Sequence, residues 1–194
     1  MSNLTIKHAG TTQTATAGTE KKGGTIVRVT PTLDTSAISA DNVVFFNATE
    51  VSNAVSNRGG VSRLLGFTLL NEDDVTHNFD VIFMQVSSNL GTINNAVGSG
   101  SLWTNALAKA AKVIGIVKVD MSDNEVDLIN NKMFSTFKGG AATDADSGNH
   151  FPMLLQAESN STSIYVAGVS RNGNTASVTT AADDYEFAFH IEYL

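Results

Sequence analysis

Three features of the sequence predict an all-β fold: a β-sandwich or jelly-roll-like domain with one short helix and an extended N-terminal arm. Short β-branched and aromatic runs recur along the chain, separated by turns rich in Gly, Asn, Ser and Asp. Several of these runs alternate apolar and polar residues, the period of a half-buried strand. One stretch alone departs from this pattern, with Ala-rich text at helical spacing. The chain has 194 residues, enough for one domain with a sizeable core. No repeat of about 20–50 residues is present, which argues against a propeller or solenoid.

The elements follow in order. Residues 1–24 are mostly Thr, Ala, Gly and polar residues, with too little apolar content to bury themselves, and read as an arm. Leu4 and Ile6 form its single β-competent patch, able to add to an edge that a partner offers. The domain spans residues 25–194. Residues 25–30 are a β-branched run stopped by Pro31, and 42–46 are a second apolar run. In 61–70, Val61, Leu65, Phe67 and Leu69 are assigned to one face and Ser62, Gly66 and Thr68 to the other. Residues 79–86 are apolar on both faces, as in a strand packed on two sides. The helix is expected over 101–112, with Ser101 as N-cap, Leu102, Ala106, Leu107 and Ala110 on one face, and Trp103 packed over the core. Further strands are expected over 112–119, 151–157 and 163–170. In the last, 185–194, Tyr185, Phe187, Phe189, Ile191 and Tyr193 share a face opposite Glu186, His190 and Glu192.

Composition narrows the function classes. The net charge of −7 opposes phosphate coating, so no nucleic-acid partner is expected. Charged residues make up 16%, against about 25% in an average soluble protein. With no cysteine, disulfides, thiolate nucleophiles and Cys-based zinc sites are excluded. No apolar run reaches the ~20 residues of a membrane span, and no secretory signal is read at the N-terminus. The expectation is an acidic globular protein made without export, with no membrane partner.

Chemistry-bearing motifs are sparse. His8, His77, His150 and His190 never fall at the i, i+4 spacing of a helical zinc site. No Gly-x-Ser-x-Gly elbow occurs, and Gly98-Ser-Gly-Ser101 lacks its spacing. Glu72, Asp73 and Asp74 read as a solvated turn, because adjacent carboxylates seldom face one another across a cleft. Asp144-Ala-Asp-Ser-Gly148 begins like a calcium loop but lacks the third Asx and the closing Glu. No phosphate-cradling Gly loop is present. No catalytic, cofactor-binding or metal residue is therefore assigned, and a non-enzymatic protein working through binding surfaces is expected.

Several stretches taken together carry a resemblance. They are Arg28-Val-Thr-Pro-Thr-Leu-Asp-Thr-Ser-Ala37, Asn47-Ala-Thr-Glu-Val-Ser-Asn-Ala-Val55 and Leu70-Asn-Glu-Asp-Asp74, followed by Leu90-Gly-Thr-Ile-Asn-Asn-Ala-Val97, Val113-Ile-Gly-Ile-Val117 and Ser161-Thr-Ser-Ile-Tyr-Val-Ala-Gly-Val169. In this order, over residues 25–194, the chain resembles small virion structural proteins of tailed bacteriophages, of the capsid cement or decoration type. The resemblance implies a protein that binds and stabilises the phage head on its outer surface after assembly in the host cytoplasm. Its implied partners are the major capsid protein and further copies of itself, as a homotrimer. The alternative it leaves open is a tail or fibre β-sandwich binding a receptor or carbohydrate. The quoted stretches contain no catalytic motif, so no site residue is carried over.

Overall fold

Strand pairing and register decide which side chains of this chain meet. The computed structural model describes residues 3–8, 11–16, 23–38, 42–101, 103–137, 151–171 and 179–194, with the backbone alone for 3–8, 11–16, 123 and 124. In the N-terminal segment, β1 (Asn3–His8) and β2 (Thr11–Thr16) pair antiparallel, Leu4 opposite Ala15 and Ile6 opposite Gln13. The segment thus carries its own two-stranded sheet, and the patch at Leu4 and Ile6 is paired within it.

The body contains β3 (Gly23–Val29), β4 (Val44–Val51), β5 (Val61–Asn71), β6 (Phe79–Met84), α1 (Asn105–Ala111), β7 (Val113–Val119), α2 (Met121–Asn124), β8 (Glu125–Asp127), β9 (Lys132–Ser135), β10 (Met153–Gln156), β11 (Ile164–Ser170) and β12 (Tyr185–Tyr193). Its pairing is nested. β3 pairs with β12, β4 with β11, β5 with both β9 and β10, and β6 with β7, always antiparallel. Rolling this nested hairpin over itself gives two sheets, β3-β12-β5-β9-β8 with β10 also on β5, and β4-β11-β6-β7. That is the connectivity of a jelly roll, within the all-β sandwich or jelly-roll-like class that the sequence predicts.

The two sheets meet through aromatic rings. Phe46 lies 5.8 Å from Phe187, Phe79 lies 6.2 Å from Phe187, and Phe83 lies 5.7 Å from Phe189, ring centre to ring centre. Each pair joins a strand of the four-stranded sheet to β12. Burial of one such ring contributes about 1.5–3 kcal/mol, so this layer dominates the core. Phe45 and Phe46, adjacent in sequence, both enter the core because the β4–β11 register slips twice on the β4 side.

Three sequence expectations are corrected. In β5 the inward residues are Ser62, Leu64, Phe67, Leu69 and Asn71, while Leu65 is exposed and Val61 half-buried. The phase changes because β5 carries an extra residue at Leu65 opposite β12. The bulge needs glycine: Gly66 has φ +153°, and a Cβ there would meet Thr136 Oγ1 and the Phe137 ring. Thr136 clamps the bulge, its hydroxyl accepting from Phe67 N (2.8 Å) and donating to Phe67 O (3.1 Å).

The helix starts later than expected. Its N-cap is Thr104, which accepts from Leu107 N at 3.3 Å, whereas Ser101 ends a short 3-10 turn at φ +60°. Lys112 then closes α1 in the left-handed region, and the β-branched text of β7 follows.

The third correction concerns Trp103, and it follows from what covers the outer side of β6, a strand packed on two sides as its text implies. Residues 85–101 and 103–112 fold back over the outer face of the four-stranded sheet, where Leu90 and Ala111 join Val44, Met84 and Ala167 in a second cluster. Trp103 packs against this cluster rather than against the sandwich core. The return is stitched to the chain by Gln85 N to Lys112 O, Val44 N to Asn95 O and Asn94 N to Val44 O. The second apolar face of β6 is therefore covered by its own chain, and the aromatic face of β12 lies in the core.

Candidate functional site

The residues singled out by type are not gathered into one centre. The His8 side chain, His150 and the Asp144–Gly148 motif lie outside the described residues. His77 is 2% exposed and sits among Phe45 and Phe79, while His190 stands on the opposite side of β12, its ring 4.8 Å from Phe137. Among the described residues no group of three or more His, Asp or Glu is placed to hold a metal, and no helix is long and apolar enough to cross a membrane.

His77 makes one contact that the sequence does not reveal, because its partner lies 93 residues away: Nε2 is 3.0 Å from Ser170 Oγ. Nδ1 is buried without a partner, which fits a neutral ring carrying its proton on Nε2 and donating to Ser170. Desolvation pushes His77 down to about 4, so the ring stays neutral. A Ser–His contact is the start of a nucleophile, yet Ser170 is fully buried and no substrate reaches it. The pair holds the β11 end in place.

The acidic turn at 72–74 is more than a solvated turn. Asp73 Oδ2 and Asp184 Oδ2 both accept from Thr180 N, at 2.5 and 2.7 Å, and Asp184 also accepts from Ala181 N at 2.5 Å. Burial tends to raise both carboxyls. The backbone donors win at Asp184 and hold it below the usual range, whereas Asp73, facing Asp184, is pushed up. Nearby, Lys132 Nζ reaches Glu125 (2.9 Å), Asp74 (3.2 Å) and Asp127 (3.6 Å). The hydrogen bond to Glu125 pushes its ammonium well above the usual lysine range, against a smaller opposing effect of burial. A lysine nucleophile needs the opposite shift, so this group acts as a cross-link.

One surface stands out instead. The outer face of the six-stranded sheet has no covering layer among the described residues, in contrast to its partner sheet. Ile26 of β3, Leu65 of β5, Val126 of β8, Met133 of β9 and Leu154 of β10 are exposed on this side, with Phe137 beside His190. Ion pairs bracket the strip: Arg28 with Glu186 at one end, Arg63 with Glu192 (3.3 Å) at the other. Between them lies an open cleft of about 270 Å³ lined by Gly24, Thr25, Ile26, Leu65, His190 and Ile191. Sequence reading missed this face for two reasons. The bulge that turns Leu65 outward is invisible in the alternation, and β8 and β9 were not anticipated as strands. Chemically, the face can bury apolar area and exchange ion pairs with another protein surface. Comparison of the chain with protein-family models, with curated proteins and with solved structures returns no match.

Proposed function

We propose that this protein is a non-catalytic structural component of a tailed-phage virion, a decoration protein that docks on the head and stabilises it. The observation that carries the reading is the asymmetry of the two sheets among the described residues: one outer face is closed by residues 85–101 and 103–112, and the other is left as an apolar strip bracketed by Arg–Glu pairs. Exposed apolar surface rimmed by polar groups is what a protein-docking face needs. Two further points support it. Jelly rolls recur in virus shells, a fold-level analogy only. The ordered stretches quoted above resemble phage head proteins. Binding of the assembled shell alone would stabilise that state by mass action.

A mass-spectrometric inventory of purified virions of the phage that encodes the chain tests this. A copy number matching the shell's own repeating units is expected. A few copies per particle would move the protein to the tail or a fibre, and absence from the virion would end the reading.

A further inference from the structure

The β8–β9 hairpin turns its chemistry inside out. On its inner side Glu125 and Asp127 meet Lys132, whose side chain is only 10% exposed. On its outer side Val126 of β8 and Met133 of β9 stand directly opposite each other, and both are exposed. Leu128 and Ile129 follow at the tip, the latter 83% exposed. Inward charges can guard an edge strand such as β8 against unwanted pairing, but that device needs polar residues facing water. Four large apolar side chains between positions 126 and 133 do the opposite, and such a row is unfavourable unless a partner covers it. The row runs on into the open sheet face, because Met133 lies opposite Leu70 of β5.

The surroundings of the hairpin set the charge of what covers it. Glu72, Asp74, Asp127 and Asp183 are exposed at this end of the sheet. Asp74 and Asp127 are held there by Lys132, and Glu72 by its N–H, which donates to Asp184 O (2.8 Å). Lys132 itself is enclosed, and Lys118 and Arg171 of the neighbouring sheet are taken up by Asp120 and Asp80. A bilayer with anionic lipids would repel such an end. The open face of a second copy is no better match, because its Arg28 and Arg63 are already paired with Glu186 and Glu192. We infer that the β8–β9 hairpin anchors the docking surface by seating in an apolar pocket, rimmed by lysine or arginine, on the assembled phage shell. This rests on the reading of the chain as a shell-docking protein and gives the chemistry of the shell's side of the contact. The apolar tip supplies the buried centre, while the carboxylates at its rim set orientation and rate of approach.

Co-sedimentation of the full chain with purified heads stripped of the protein tests both halves of the inference. Wild type should pellet with heads and be released as salt rises from about 50 to about 500 mM, where surface charges are screened. Ile129→Asn, which the left-handed turn at φ +81° accepts, and Leu128→Ser should each weaken binding at least about tenfold, the loss expected at the centre of an interface. Glu72→Gln combined with Asp183→Asn should weaken binding at low salt and flatten its salt dependence. Urea melts of these surface variants should match wild type, which separates lost binding from lost fold. Hairpin variants that bind heads as well as wild type would overturn the inference and leave the shell-docking reading standing. Binding lost in Ile26→Ser but kept in Ile129→Asn would move the anchor to the cleft corner. An oligomer of the free chain that Ile129→Asn dissolves would give the hairpin to a second copy. Pelleting with phosphatidylcholine vesicles that Ile129→Asn abolishes would give it to a bilayer, and each of these three results overturns the inference. A wild type that does not pellet with heads at all refutes shell docking itself, and the inference with it.

Discussion

The ring of Phe46 in β4 occupies the space that a side chain at Gly168 in β11 would need: a Cβ there collides with Phe46 Cδ1 and Cε1. The contact sits at the double slip of the β4–β11 register, where Phe45 and Phe46 both turn inward. Gly168→Ala is therefore an overpacking change and should cost about 1–3 kcal/mol. Phe46→Leu leaves room for the added methyl, so the double variant should be more stable than the sum of the two single losses. Urea unfolding of the four proteins checks this, and strict additivity would mean that the ring does not set the glycine.

His77 makes stability fall on mild acidification. Its folded value is pushed down to about 4 by burial, against 6.5 in the unfolded chain. Between these values the unfolded state binds the extra proton, so the contribution is complete above 6.5 and is lost as pH falls toward 4. At 1.36 kcal/mol per unit, the loss across this window is about 3 kcal/mol. Denaturant midpoints at pH 7, 5.5 and 4.5 should trace it, and His77→Leu should flatten the slope.

The fold was largely legible because β12 alternates in sequence and its expected inner face, Tyr185, Phe187, Phe189 and Ile191, is buried. What escaped depends on partners distant in sequence. The phase change in β5 is dictated by Thr136 and Phe137, which crowd position 66 from the turn after β9. β8 and β9 are three and four residues long, and their charged residues Glu125, Asp127 and Lys132 look like loop text until they are seen bonded to one another. The apolar excess of β6 was legible but not its cover, since Leu90 and Ala111 come from loop and helix sequence without strand periodicity. For the same reason the open face of the other sheet had no signature: an exposed Ile26 or Leu65 reads in sequence like a buried one.

Lys132 joins three carboxylates from two places: Asp74 after β5, and Glu125 and Asp127 from β8. Its side chain is 10% exposed, so replacing it leaves Glu125 in a nearly closed site without its cation. Lys132→Met should cost about 1–3 kcal/mol at pH 7, the range of hydrogen bonds to charged groups. The ammonium is held above its ordinary value, so its contribution is present throughout the neutral range and fades only as pH rises through the folded value. Urea melts of the two proteins at pH 7 read this cost, and a loss under about 0.5 kcal/mol, the range of an ordinary surface change, would mean that the cross-link does not hold the fold.

Asp73 and Asp184 share the amide of Thr180 but should answer differently to the same substitution. Asp184 accepts from two backbone donors, Thr180 N and Ala181 N, and is held low; its contribution is present above the carboxylate range and lost as pH falls through its folded value. Asp73 is pushed up by burial and by Asp184, so ionising it at neutral pH works against the fold. Asp184→Asn gives up a charge-assisted acceptor for two amides and should cost about 1–3 kcal/mol at pH 7. Asp73→Asn removes the like charge while keeping an oxygen for Thr180 Oγ1, which Asp73 Oδ1 now holds at 2.8 Å. Its effect should stay within about 0.5 kcal/mol of wild type, the range of an ordinary surface change. In Asp184→Asn the Asp73 carboxyl should also titrate at lower pH than in wild type, because its neighbour is neutral. Urea melts at pH 7 and carboxyl NMR titration read the two effects, and equal costs for the two substitutions would refute the division of roles.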